Sequence, residues 1–213
     1  MNFIFCGITL SQVEAQNSLP PLWQVRSPIK REDISKIILE YPPGIIIIVD
    51  GVFYQSESVS IKEIRSAIQL GWKVYGTSSM GALRAIECKT IGMIGFGKVF
   101  RFMSLFKIAD DDEVAQSISP LDHQPLSIAM VDIRFFLKKL LLEKIINQDG
   151  YTDLLKCLKS TYYPNRNLNI IRGYLFQNKA LYSVSRIQNY LHSFQSQKKL
   201  DAIALLNKFT HQK

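Results

Sequence analysis

Residues 44–50 read GIIIIVD. Four isoleucines and a valine in a row are too few for a helix, and all five are β-branched, so the run predicts a strand buried on both faces. Such strands belong to parallel sheets, and the flanking sequence agrees. Upstream, Arg31 to Glu40 places Ile34, Ile37 and Ile38 at helical spacing, and Pro42-Pro43-Gly44 ends the pattern. Downstream, Ser60 and Glu63 form a capping-box pair, with Ile61, Ile64 and Ile68 as the buried face and Gly71 past the end. WKVYG (72–76) reads as another strand, and GTSSMGALRAIE (76–87) opens a further helix. With Asn2 to Cys6 as a first strand, the alternation predicts an α/β fold, an N-terminal parallel sheet with right-handed crossover helices.

GMIGFG (92–97) is glycine-rich, but its glycines do not follow the dinucleotide fingerprint and no phosphate-loop lysine-serine pair follows. It reads as a tight turn before a helix from Lys98 to Phe106. ADDDEVA (109–115) could chelate a cation; the plainer reading is a solvated acidic turn before a strand. From Ser127 the pattern becomes helical. AMVDIRFFLKKLLLEKII (129–146) is apolar around most of its circumference, a central buried helix, while Tyr151 to Lys159 and Lys179 to Gln195 look amphipathic around a loop near Tyr163-Pro164-Asn165. The expected division is an α/β core over 1–125 and a mostly helical C-terminal subdomain over 126–213.

Charge follows that division. The net charge is +8, yet residues 1–125 hold about 12 basic against 13 acidic side chains and residues 126–213 about 14 against 5. The basic helical subdomain suits an acidic protein or nucleic acid, or is a solubilised face with no specific partner. Tyr162, Tyr163 and Tyr174 interleave with its bases, but at helical spacing such rings are more often core, so nucleic acid is not the expected partner. Cys6, Cys88 and Cys157 are an odd, widely spaced set that indicates neither a disulfide framework nor a zinc site. MNFIFCGITLSQ lacks a basic start and reads as a strand, and no apolar run nears the ~20 residues that cross a bilayer. A reduced, cytoplasmic protein is expected, with no membrane partner, metal or cofactor.

Ligands of parallel sheets bind beyond the carboxyl ends of the strands, where Asp50 and Thr77, Ser78 and Ser79 fall. One hydroxyl suffices to cap a helix, for about 1 kcal/mol. The others are candidate nucleophiles, with helix N–H groups to receive an oxyanion and Gly81 to let a substrate backbone approach. His123, His192 and His211 lack a persuasive context as base. Lys62, in the first turn of the helix that starts near the same strand ends, can serve if shelter from water and the helix dipole favour its neutral form; otherwise it is a surface lysine.

DGVF (50–53), KEI (62–64), GTSSMGALRAIE (76–87), GMIGFG (92–97), DDDEVA (110–115) and PLSIAMVDIR (125–134) stand in the order and spacing of the TfuA-like proteins, and over residues 2–135 the chain resembles that family. The resemblance implies partnership with a YcaO-type enzyme in peptide backbone thioamidation. It implies hydrolysis of the thiocarboxylated C-terminus of a ThiS-like sulfur carrier to release sulfide, and help in holding the precursor peptide. A serine-lysine pair is attributed to the family, which points to Lys62 with Ser79 or Ser78. Asp50, Gly51, Thr77, Met80, Gly81 and Arg84 would then surround the substrate, with Asp50 orienting Lys62 or binding the carrier tail, although Arg84 and Glu87 also have the spacing of a structural ion pair. Where the family often has histidine before the lysine, this chain has Ile61, read as a packing residue. The competing expectation is a non-catalytic adaptor that docks carrier, peptide and YcaO-type enzyme through charged surfaces.

Overall fold

The computed structural model describes residues 1–53, 57–121, 124–177 and 184–210. They form two compact units, 1–111 with 197–213 and 112–196. The expected division lay at 125; here the boundary falls inside the acidic DDDE turn, after Asp111, and the last helix belongs with the sheet.

In the first unit the strands are β1 (Asn2–Phe5), β2 (Trp23–Arg26), β3 (Ile45–Ile48), β4 (Lys73–Thr77) and β5 (Ile94–Phe96). All pair in parallel, in the order β2-β1-β3-β4-β5. The expected parallel α/β sheet is thus present. The isoleucine run is its centre: Ile46, Ile47 and Ile48 are fully buried, and alternate residues serve opposite faces. The helices are α1 (Gln12–Ser18), α2 (Asp33–Glu40), α3 (Ile61–Gln69), α4 (Met80–Glu87) and α5 (Gly97–Phe106). β2 and β5 were not legible. WQVR alternates apolar and polar residues, but over four positions only, too short a run to declare a strand, and β5 is three residues inside GMIGFG, where glycine hid it.

The capping box at α3 is formed in both directions, Ser60 with Glu63. The helix buries Glu63, Ile64 and Ala67, while Ile61 is 40% exposed, so Ile61 is not the packing residue its spacing suggested. At the first helical position its side chain points past the core-facing stripe.

The second unit holds α6 (Met130–Leu142), α7 (Gln148–Ser160), α8 (Leu168–Gln177) and α9 (Val184–His192). The central helix α6 buries Met130, Ile133, Phe136, Leu137 and Leu140 against Leu154, Leu158, Ile171 and Leu175. The acidic turn is solvated only in part: Asp110 and Asp111 are exposed, whereas Asp112 and Glu113 turn inward. Glu113 is buried and receives both Arg134 and Lys159, and the Asp112 carboxylate accepts from Lys159 and, through both oxygens, from Nη2 of the buried Arg166, whose Nη1 donates to the Asp112 carbonyl. Burial would raise the Asp112 carboxyl, but those cations outweigh it and hold it below the usual range.

The final helix, α10 (Gln197–Thr210), returns to the sheet unit, where Ala202, Leu205, Leu206 and Phe209 pack with Ile4, Trp23, Ile47 and Val49. Among the described residues no helix is long and apolar enough to cross a membrane.

Candidate functional site

In this sheet the strand order reverses between β1 and β3, where parallel α/β folds open a crevice at the carboxyl edge. Asp50, just past β3, spans it. The buried carboxylate accepts the backbone N–H of Gly7 at 3.0 Å and of Thr9 at 2.9 Å, and the Thr9 hydroxyl at 2.5 Å. Both oxygens are therefore committed to the loop after β1, which makes Asp50 a latch across the switch point. Thr9 and Gly7 escaped the sequence reading, because nothing in GITLS announces a partner forty residues away.

Cys6 directly follows β1, beside this latch. Burial first, then the charges of Asp50 and Glu14, push its thiol up to about 12; burial and Glu87 push Cys88 up to about 11. Neither supplies a thiolate near neutral pH. The described cysteines are all free.

One strand over, β4 turns into α4 through Thr77, Ser78 and Ser79, which are 0%, 0% and 3% exposed. Ser78 has φ of 68°, and Ser79 N–H donates to Thr77 O at 2.9 Å. A two-residue bond around a positive φ is the rarer, strained form of γ-turn, and strain of this kind collects at functional sites. Ser78 Oγ donates to the carbonyl of Lys198 at 2.6 Å and lies 3.3 Å from Thr77 Oγ1. Ser79 occupies the N-cap of α4 yet makes no capping hydrogen bond. Of three hydroxyls, two secure the turn and the one in the capping position does not cap.

The opening amides of α4 are mostly used. Gly81 N–H donates to Val49 O at 3.2 Å, and Ala82 and Leu83 donate to Ser79 O at 3.0 and 3.3 Å. Among the described residues the Met80 N–H has no backbone acceptor. Gly81 lies so close to β3 that a Cβ there would sit 1.8 Å from Ile48 O; its missing side chain admits the sheet backbone. Met80 is buried, and a Cβ on Gly51 would meet it at 2.7 Å. Arg84 donates to Val59 O and the Ser58 hydroxyl, both at 3.0 Å, and pairs with Glu87, tying α4 to the segment that leads into α3.

Lys62 lies in the first turn of α3 and is exposed. Among the described residues it makes no hydrogen bond to Ser78 or Ser79. The shelter expected for it is missing. His192 is exposed in α9; His123 and His211 lie outside the described residues.

The α5 start was read as a turn without a phosphate cradle. Gly97 has φ of 99°, and the Asp201 carboxylate from α10 sits against it, accepting from Val99 N–H at 2.7 Å. The chain's own anion occupies this helix N-terminus. Among the described residues no three His, Cys, Asp or Glu side chains are grouped to hold a metal ion.

No curated protein matches the chain in sequence. The TfuA-like protein family model matches residues 50–167, starting later than the resemblance over residues 2–135 and running on past α7. The match takes in Asp50, Lys62 and the 77–79 turn, and it spans more than half of the 213 residues. The chain belongs to the TfuA-like protein family.

Proposed function

We propose that this protein serves YcaO-dependent peptide backbone thioamidation by hydrolysing a thiocarboxylated ThiS-like carrier to release sulfide. Membership of the TfuA-like family supports the pathway. One observation carries the chemistry: Ser79 holds the N-cap of a helix without capping it, at the carboxyl edge of a parallel sheet, behind a left-handed Ser78. A hydroxyl that forgoes about 1 kcal/mol of capping, next to backbone strain, fits a nucleophile better than a structural serine.

Ser79 Oγ attacks the thiocarboxylate carbon, and the Met80 N–H faces the developing oxyanion. Thr77 and Ser78 fix the turn. Asp50 keeps the loop after β1 across the crevice. A lysine takes the serine proton; Lys62 can do so only if the docked carrier excludes water from it, because it is exposed in the free protein.

The test is sulfide release from a thiocarboxylated ThiS-like carrier. Ser79→Ala is expected to lower kcat by at least about 10²-fold while carrier binding persists. Full activity of that variant contradicts the reading.

The exposure of Lys62 favours a second reading, an adaptor that docks carrier, peptide and YcaO-type enzyme by charge. It predicts that Lys62→Glu or reversals in the basic helical region abolish complex formation while Ser79→Ala supports thioamidation normally.

A further inference from the structure

Ser78 is wholly buried, and its hydroxyl donates to the backbone carbonyl of Lys198 at 2.6 Å, across 120 positions of sequence. A serine hydroxyl has a single hydrogen, and this bond takes it. In the weaker contact with Thr77, 3.3 Å between the two hydroxyl oxygens, Thr77 is therefore the donor. The hydroxyls form a chain, Thr77 to Ser78 to Lys198 O, that starts on the last residue of β4 and ends in the first turn of α10. Of the three residues in the turn only Ser79 keeps any exposure, 3%.

The far end of this chain is anchored. Ala202, Leu205, Leu206 and Phe209 bury one stripe of α10 in the core of the sheet unit. Phe209 meets Tyr75 of β4 with ring centroids 5.4 Å apart, and Asp201 accepts from Val99 N–H at 2.7 Å. The helix is thus held to β4 at Tyr75 and to the turn that follows β4 at Ser78, all within one compact unit. Ser78 needs such a hold. Its φ of 68° crowds an L side chain, and an unrestrained serine relaxes out of that region. Ser79 comes next in the chain, so relaxation there swings the Ser79 hydroxyl, which no capping bond restrains.

We propose that Ser78 is a positioning residue whose bond to the Lys198 carbonyl makes α10 part of the hydrolytic site. The last helix, beyond the family match that stops at residue 167, sets the direction of the Ser79 hydroxyl. This rests on the hydrolytic reading above and adds to it the source of the orientation. Thr77, by donating to Ser78, polarises and strengthens the same bond. Both hydroxyls act through Ser79.

Ser78→Gly removes the hydroxyl and the strain together, because glycine adopts a positive φ freely, whereas Ser78→Ala removes the hydroxyl alone. In the full chain both are expected to lower kcat for sulfide release from a thiocarboxylated carrier by about 10- to 100-fold. KM should stay within about threefold. Urea unfolding should find Ser78→Gly the more stable of the two yet no more active, whereas a merely structural serine would let activity follow stability. Thr77→Val, of similar shape without the hydroxyl, should lower kcat by less than Ser78→Ala. If the alanine variant fails to fold, the glycine variant decides. Wild-type kcat in a folded Ser78→Gly overturns the assignment, while an inactive Ser79→Ala preserves the hydrolytic reading. A fully active Ser79→Ala removes that reading, and with an inactive Ser78→Gly it moves the nucleophile to Ser78.

Discussion

Gly81 shows how little slack the site has at the scale of a residue. Its α-carbon touches the β3 backbone, and a methyl group would land 1.8 Å from Ile48 O. Gly81→Ala is therefore expected to cost about 3 kcal/mol in urea unfolding, and a loss under 1 kcal/mol would show that α4 can back away. In sequence, a glycine after a hydroxyl turn fits a close substrate approach and a close backbone crossing equally well. Only the crossing of α4 over β3, a tertiary fact, separates them. Ser79 was legible from its position at a strand-to-helix junction. That it does not cap, and that Ser78 is left-handed, was not, because backbone dihedrals of serine leave no mark in composition.

At the scale of an element, α5 depends on a residue from α10. Asp201 accepts from Val99 N–H and so does the work of an N-cap from 102 residues away. Asp201→Ala is expected to lower stability by about 1–2 kcal/mol, with Asp201→Asn, which keeps an acceptor, closer to wild type. Equal losses in both variants would mean that charge, not the hydrogen bond, matters. The sequence held a signal here. Lys198 and Asp201 fall in phase with Ala202, Leu205, Leu206 and Phe209, so their burial follows from periodicity once α10 is known to cover a sheet. The basic charge of residues 126–213 masks that signal, since a solvated face is the simpler reading of it.

Across the whole molecule, the two units are expected to fail for different reasons. The sheet unit needs α10, whose Phe209 packs on Trp23 with ring centroids 5.3 Å apart. Removing residues 197–213 would bare one face of the sheet, and tryptophan emission should shift to the red; an unshifted spectrum would show the helix to be dispensable. The second unit is held partly by charge around Asp112 and Glu113. Asp112 titrates below its ordinary range when folded, so its contribution is complete above about pH 3.9 and is lost as pH falls through the lower folded value. Urea unfolding between pH 7 and 2 should show that loss in the wild type and less of it in Asp112→Asn; parallel curves would count against it. The parallel α/β architecture was readable from GIIIIVD outward. The boundary was not, because the DDDE turn looks like surface until its cations, Lys159 and Arg166, are brought to it by α7 and the turn that follows.

The central claim, that Ser79 is acylated by the carrier, is open to direct observation. Protein and thiocarboxylated carrier are mixed in equal amounts, quenched at short times and weighed intact. The account predicts a transient species with the mass of both chains less hydrogen sulfide, joined through Ser79 and absent from Ser79→Ala. Sulfide released at the same rate by Ser79→Ala, with no joined species at any time, would contradict it.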